Sequence, residues 1–240
     1  MTKTQKRLTG FLTNTIIAFV IAITAMSTII DPVAVQTANV VNDVVYSGNT
    51  DNKNVSLMIN VYWGTEYLED ILKAFKDANM TTTFFVGGSW AIQNKDMLKK
   101  IKAAGHEIGS HGYNHKDHDK ISREENYNEI YNTHGVVKEI LGIDMTLFAP
   151  PSGAYNKTTV DVAKSLGYTT IMWTRDTIDW RDKDSHLVYT RAVNNIKGGD
   201  LILMHPTAHT RDALPKILKE ISSNGLSCSP VSKTIQGIEL

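Results

Sequence analysis

The chain has 240 residues, enough for one α/β domain with a sizeable core. Its 25 acidic and 25 basic side chains balance, which gives no electrostatic footing for a nucleic acid or another polyanion. The single cysteine, Cys228, excludes an internal disulfide and a cysteine-based zinc site, and reads as a small core residue.

Lys3, Lys6 and Arg7 precede an uncharged stretch from Leu8 to Ile30 that is strongly apolar from Thr15 onward. Basic residues ahead of an apolar run direct the N-terminus inside and the remainder outside. Residues 1–30 are therefore expected to be a signal peptide or signal anchor, with the rest extracytoplasmic, membrane-anchored or secreted. Ile23-Thr24-Ala25 and Gln36-Thr37-Ala38 are poor cleavage sites, and the run exceeds the roughly 20 residues that span a bilayer, so both forms stay open. Residues 31–53 are polar, with Pro32 and Gly48, and read as a linker or extended lead-in to a domain over 54–240.

Strand-like and helical patterns alternate from Asn54 onward. Val55–Val61 reads as a strand, Glu66–Asp77 as a helix through Tyr67, Ile71, Leu72 and Phe75, and Thr81–Val86 as a β-branched and aromatic strand. A helix is expected over Ser89–Ala103 and a short strand over His106–Ser110. Ser122-Arg123-Glu124-Glu125 is a capping box that opens a helix to about Leu141. Then come a strand at Met145–Ala149, a helix at Lys157–Leu166 and a strand at Tyr168–Trp173. A helix at His186–Ile196, a strand at Leu201–Met204, a helix at Arg211–Ser222 and a strand at Leu226–Val231 complete the series. About seven strands with intervening helices predict an α/β fold with a parallel sheet, open or closed into a barrel.

In such sheets chemistry gathers at the strand C-termini. His111, Pro150, Asp176, Asp179 and His205 all fall just after strand ends. Ser110-His111-Gly112-Tyr113-Asn114-His115 carries two imidazoles four residues apart, spaced to meet one ion; a catalytic zinc asks for three protein ligands and an open position. His118 and Asp117 follow in a charged loop and read as solvated. His205 stands where a proton donor to a leaving group would sit, and Asp179 is placed to hold its other ring nitrogen. Taken singly, His205 also reads as a core-edge histidine bonded to a backbone carbonyl. Gly87-Gly88-Ser89-Trp90-Ala91 follows a strand and opens a helix like a nucleophile elbow, with His205 as its base; Ser89 reads better as a helix N-cap.

Four segments in this order resemble the polysaccharide deacetylase family, carbohydrate esterase family 4. They are Thr82-Thr83-Phe84-Phe85-Val86, Gly105-His106-Glu107-Ile108-Gly109-Ser110-His111, Asp176-Thr177-Ile178-Asp179-Trp180 and Ile202-Leu203-Met204-His205. The resemblance spans Asn54 to about Ile238 and implies a distorted (β/α) barrel. It also implies a divalent metal, most often zinc, and removal of acetyl groups from N-acetylglucosamine polymers such as peptidoglycan or chitin. Carried over by residue, His111 and His115 resemble the metal pair, His205 the general acid and Asp179 its orienting carboxylate. Trp180 resembles part of the wall that packs the acetyl methyl, and Ser152 stands where the family uses a backbone N–H as an oxyanion donor.

The chain departs from the family at the other half of the site. The motif Thr-Phe-Asp-Asp-Gly reads Met58-Ile59-Asn60-Val61-Tyr62, so Asn60 replaces the catalytic base and Val61 the metal carboxylate. Arg-Pro-Pro-Tyr reads Ala149-Pro150-Pro151-Ser152, and an arginine without its carboxylate partner would be a costly buried charge. This altered pattern resembles a branch of the family found in spore-forming bacteria. Glu66, just past Gly64, is the best nearby carboxylate for a surrogate ligand or base; the commoner reading of such a residue is a first-turn glutamate favoured by the helix dipole. Tyr62 and Trp63 read as sugar-stacking side chains or as packing at the strand end. The resemblance implies a metal-dependent deacetylase of cell-wall glycans with weakened activity; the alternative is a non-catalytic extracytoplasmic glycan-binding relative.

Overall fold

A computed structural model describes residues 43–238. The expected signal or anchor segment and the lead-in up to residue 42 lie outside the described residues. The strands are β1 (Val44–Val45), β2 (Asn54–Val61), β3 (Thr83–Val86), β4 (Glu107–Ser110), β5 (Leu147–Phe148), β6 (Thr169–Ile171), β7 (Arg175–Asp176), β8 (Leu201–Met204) and β9 (Ser227–Cys228). The helices are α1 (Leu68–Asp77), α2 (Gly88–Gln93), α3 (Lys95–Ala103), α4 (Arg123–Leu141), α5 (Lys157–Ser165), α6 (Asp179–Asp182), α7 (Ser185–Val193), α8 (Ala208–Ser223) and α9 (Val231–Thr234).

Neighbouring strands pair in parallel in the order β1-β6-β5-β4-β3-β2-β8-β7, and β9 joins the start of β2. The result is the expected α/β fold, a curled parallel sheet wrapped by helices. Strand alternation divides its core in two. Val55, Leu57, Ile59 and Val61 of β2, with Phe84 and Val86 of β3, pack against the surrounding helices. Met58, Phe85, Leu147, Ala149, Ile171 and Leu201 fill the concave interior, joined by Val45 and Val231. Phe85 fits there because Gly109 on the next strand has no side chain; a Cβ at 109 would sit 2.5 Å from the Phe85 ring.

The same alternation positions the site. Ser56, Met58 and Asn60 point into the curl, which brings Asn60 to its upper rim, while Val61 turns outward into the helix-side core. The capping box of α4 is formed: Ser122 Oγ accepts from the Glu125 N–H at 3.2 Å, and Glu125 Oε2 accepts from the Ser122 N–H at 3.1 Å. Gly142 closes that helix in the left-handed region with φ 68°.

Several elements differ from the sequence reading. The single helix over Ser89–Ala103 is two, broken at Asn94, whose side-chain amide donates to the Trp90 carbonyl at 2.9 Å. Gly87, not Ser89, is the N-cap of α2. β1 and β7 join the sheet as edge strands of two residues each, too short to announce themselves by periodicity. Asp179–Asp182 forms a helical turn between β7 and α7.

Candidate active site

The strand C-termini open onto a cleft of about 280 Å3 lined by Asn60, Tyr62, His111, His115, Ser152, Trp173, Asp176, Trp180, Leu203 and His205. A larger hollow of about 720 Å3 lies at the opposite end of the sheet, between α1 and α3. Of the lysines lining it, Lys73 and Lys100 are paired with Asp77 and Glu69, and it gathers no convergent set of reactive groups.

His205 and Asp179 are joined by a dense set of hydrogen bonds at one side of the cleft. Asp179 is 1% exposed. Its Oδ1 accepts from His205 Nδ1–H at 2.8 Å, and its Oδ2 accepts from the His205 backbone N–H at 2.7 Å and the Thr210 hydroxyl at 2.5 Å. The carboxylate thereby fixes both the tautomer and the ring orientation of His205, leaving Nε2 for the cleft. Ile178, immediately before, sits in the left-handed region at φ 53°, where a β-branched residue is strained. His115 and Ser152 do the same, each at φ 56°. Such residues persist only where their surroundings overdetermine them, and they collect at functional sites.

His111 stands at the end of β4, 1% exposed, with Nδ1 2.7 Å from the Ala149 carbonyl. That carbonyl can only accept, so Nδ1 carries the proton and the Nε2 lone pair is bare. Nε2 has no hydrogen-bond partner in its buried position. Burial first, and the neighbouring His115 second, hold the His111 pKa well below the ordinary imidazole range. Burial likewise lowers His115. Both rings are therefore neutral near pH 7, the form that ligates metals. Asn60 Oδ1 is also buried without a partner. The pair fits a divalent ion as two neutral nitrogen donors, with Asn60 Oδ1 as a further oxygen in the same cleft. No cluster of three or more His, Cys, Asp or Glu suited to a metal occurs among the described residues.

Other candidates fall in different places. Glu66 is exposed and its Oε2 accepts from the Thr65 N–H at 3.0 Å; it is not among the cleft-lining residues. Tyr62 and Trp63 turn their faces to the histidines. The Tyr62 ring stacks on His115 with centroids 3.5 Å apart, and the Trp63 ring on His205 at 5.5 Å. Trp180 is 54% exposed at the cleft rim, and Ser152 is exposed in the turn Pro151–Gly153. The loop bearing Ala149 gives His111 a carbonyl in place of a charged neighbour. Ser89 lies in the first turn of α2, and His205 is bonded to Asp179 instead of to any serine.

His118 corrects the sequence reading: it is fully buried instead of solvated. Its Nδ1 lies 2.6 Å from Asn126 Oδ1, and the Asn126 amide donates back to the His118 carbonyl at 3.0 Å. Asp117 pairs with Lys120 at 2.7 Å at the surface. Two site residues escaped the sequence reading. Trp173 lines the cleft at the end of β6. Glu129 reaches up from α4, and its Oε2 accepts from the backbone N–H of Tyr113 and of Asn114, both at 2.7 Å, pinning the turn between His111 and His115. A glutamate in the buried stripe Asn126, Glu129, Ile130, Thr133 and Val137 was the available signal.

The profile of the polysaccharide deacetylase family matches residues 47–171. The uncharacterised protein YlxY of Bacillus subtilis is 36% identical over 196 residues, covering 82% of this chain and 61% of that protein. The peptidoglycan-N-acetylglucosamine deacetylase PgdA of Listeria monocytogenes is 33% identical over 175 residues, covering 72% of this chain and 37% of the enzyme. The chain thus spans less than two thirds of the length of each of these relatives. Among solved structures, a pseudoenzyme of carbohydrate esterase family 4 from Bacillus anthracis superposes with a TM-score of 0.79 at 32% identity, covering 81% of this chain and 69% of that one. A mutant of the same pseudoenzyme, described as having restored enzymatic activity, matches with a TM-score of 0.79 at 31% identity, covering 81% of this chain and 72% of that one.

Proposed function

The chain belongs to the polysaccharide deacetylase family, and from that premise we propose that it acts weakly on N-acetyl groups of cell-wall glycan, with the acid half of its machinery built and the base half missing. The observation that carries this is the buried Asp179–His205 unit facing a cleft in which Asn60 stands on the strand that should supply a carboxylate. Three hydrogen bonds on one buried carboxylate, next to a strained Ile178, hold one imidazole nitrogen toward the cleft.

Hydrolysis of an acetamide needs one proton taken from the attacking water and one delivered to the departing nitrogen. His205 delivers the second from Nε2–H of its doubly protonated ring, whose Nδ1–H is held by Asp179. Asn60 cannot take the first, because an amide is not a base near neutral pH. A positioned base is typically worth roughly 10²–10⁴ in rate, which sets the expected deficit. Trp180, half exposed at the rim, and Trp173 supply apolar faces for a sugar ring and its acetyl methyl. A divalent ion, zinc first, would be held by His111 and His115 and would polarise the acetyl carbonyl. The segment Lys3 to Ile30 supports an extracytoplasmic location, by anchor or by secretion, where cell-wall glycan is found.

A second reading, glycan binding without turnover, is favoured by Asn60 and by the similarity to a pseudoenzyme. Amine release from N-acetylglucosamine oligomers and from peptidoglycan, with and without Zn²⁺, separates the two. Slow zinc-dependent release that His205→Ala and His111→Ala both abolish supports the weakened enzyme. Binding of the same oligomers with no release under any condition supports the second reading.

A further inference from the structure

We infer that Glu129 is a positioning residue for the histidine pair, holding His115 through two backbone N–H groups so that both imidazoles can meet one ion. The inference rests on reading His111 and His115 as a metal pair, and names what fixes the second of them.

The two imidazoles are held in unequal ways. His111 Nδ1 bonds the Ala149 carbonyl at 2.7 Å, which sets its tautomer and its ring plane. A metal-ligating histidine normally gives its second nitrogen to such an acceptor. Among the described residues, none from another residue meets the His115 ring. Tyr62 lies on the face of that ring, and a stacked ring can still slide and turn in its own plane. The place of the His115 donor nitrogen is therefore set by the backbone of its turn. His115 sits there in the left-handed region at φ 56°, a conformation that the surroundings must impose.

That turn is gripped from two sides. From α2, the Gly88 and Ser89 N–H groups donate to the Gly112 and Tyr113 carbonyls, both at 3.0 Å. From α4, Glu129 Oε2 accepts from the Tyr113 and Asn114 N–H groups, both at 2.7 Å. Successive N–H groups converging on one oxygen make the turn a concave anion-binding surface, which the Glu129 carboxylate fills. Gly112 leaves room for that approach: a Cβ there would lie 3.2 Å from Glu129 Oε2. Glu129 is buried on the inner stripe of α4, and hydrogen bonds to a carboxylate are roughly twice as strong as neutral ones. The α2 contacts reach only as far as Tyr113, whereas Glu129 binds Asn114, the residue next to His115. Without the carboxylate both N–H groups lose their acceptor, and the segment from Tyr113 to His115 is free to relax away from His111.

The test is zinc affinity of the full chain by competition with a chelating dye, a readout independent of turnover. Glu129→Ala is expected to weaken Zn²⁺ binding by about 10–100-fold, the range for loss of a group that orients a metal ligand. Glu129→Gln removes the charge but keeps an acceptor oxygen for both N–H groups, and is expected to stay within about threefold of the parent. Val137→Ala trims a fully buried side chain further along α4 and controls for lost stability. At a temperature where every variant is folded, it is expected to bind like the parent. Should Glu129→Ala fail to fold, Glu129→Asp, which draws the carboxylate back from the turn, replaces it with a loss in the same direction. A loss in Glu129→Gln as large as in Glu129→Ala assigns the effect to charge and overturns the inference. Parent-like binding by Glu129→Ala, or an equal loss in Val137→Ala, overturns it too. His111→Ala keeps this result apart from the metal-pair reading. Affinity that drops in His111→Ala but not in Glu129→Ala sinks the positioning role alone. Affinity indifferent to His111→Ala removes the pair, and the positioning role with it.

Discussion

Replacing Asp179 by alanine is expected to cost far more stability than an ordinary polar substitution. The carboxylate is 1% exposed and takes hydrogen bonds from the His205 ring, the His205 backbone N–H and the Thr210 hydroxyl. Alanine leaves all three donors buried without an acceptor, and each such orphan costs about 1–3 kcal/mol. Partial relaxation brings the total to about 3–5 kcal/mol, the range for removing one member of a buried pair. That is a large share of the roughly 5–15 kcal/mol that stabilises a domain. At about 2–4 °C per kcal/mol for a domain of this size, the melting temperature should fall by roughly 6–20 °C. Urea denaturation followed by tryptophan fluorescence measures it directly. The cycle through His205→Ala and the double variant should give a coupling of about 1.5 kcal/mol or more. A loss below about 1 kcal/mol, or additive single effects, would refute the view that this carboxylate is the organising centre of the cleft.

Three further outcomes are expected. Burial in the company of Phe75 and Phe84 lowers the His106 pKa from 6.5 to about 4, and its Nδ1, accepting from the Thr82 N–H, must be unprotonated. The unfolded chain then binds the proton first, so stability is full above pH 6.5 and declines toward pH 4, by about 3 kcal/mol at most. His106→Asn, which keeps an acceptor for Thr82, should shrink that decline in urea titrations at pH 7.5 and 5.0. Gly88→Ala places a Cβ 2.3 Å from the Tyr113 ring and 2.8 Å from Thr133 Oγ1, so it should destabilise by about 1–3 kcal/mol. Because Tyr113 lies in the turn carrying His115, the same variant should weaken zinc binding in the dye competition. Val61→Asp puts a carboxylate at a fully buried position of the helix-side core and should cost about 3 kcal/mol or more without metal, read as a lower urea midpoint.

The sheet was legible because its strands are buried on both faces. Runs such as Leu57-Met58-Ile59 and Phe84-Phe85-Val86 announce themselves by apolar and β-branched content. β1 and β7 did not, because two residues of backbone pairing leave no hydrophobic pattern, and Arg175-Asp176 is wholly polar. In the site, the pairing of Asp179 with His205 followed from their places after strand ends. What composition concealed was orientation. Glu66 turned its carboxylate onto Thr65, since the φ of 58° at Gly64 folds the chain back on itself there. His118 looked solvated among charged neighbours, yet Asn126, one turn into α4, draws it under the loop. Tyr62 and Trp63 read as sugar-stacking side chains or as packing at the strand end, and the structure lays one face of each ring on an imidazole. Each of these is a tertiary contact between segments whose spacing carries no period.

The most direct measurement is amine release from N-acetylglucosamine oligomers in saturating Zn²⁺, comparing the parent with Asn60→Asp. Asn60 already lines the cleft with Oδ1 unpartnered, so the carboxylate enters without a change of shape. If the deficit lies in the base half, release should rise by roughly 10²–10⁴ over the parent, and Asp179→Asn should remove the gain. Parent release as fast as that of Asn60→Asp would contradict the account, because a proton acceptor would then already be present elsewhere in the cleft.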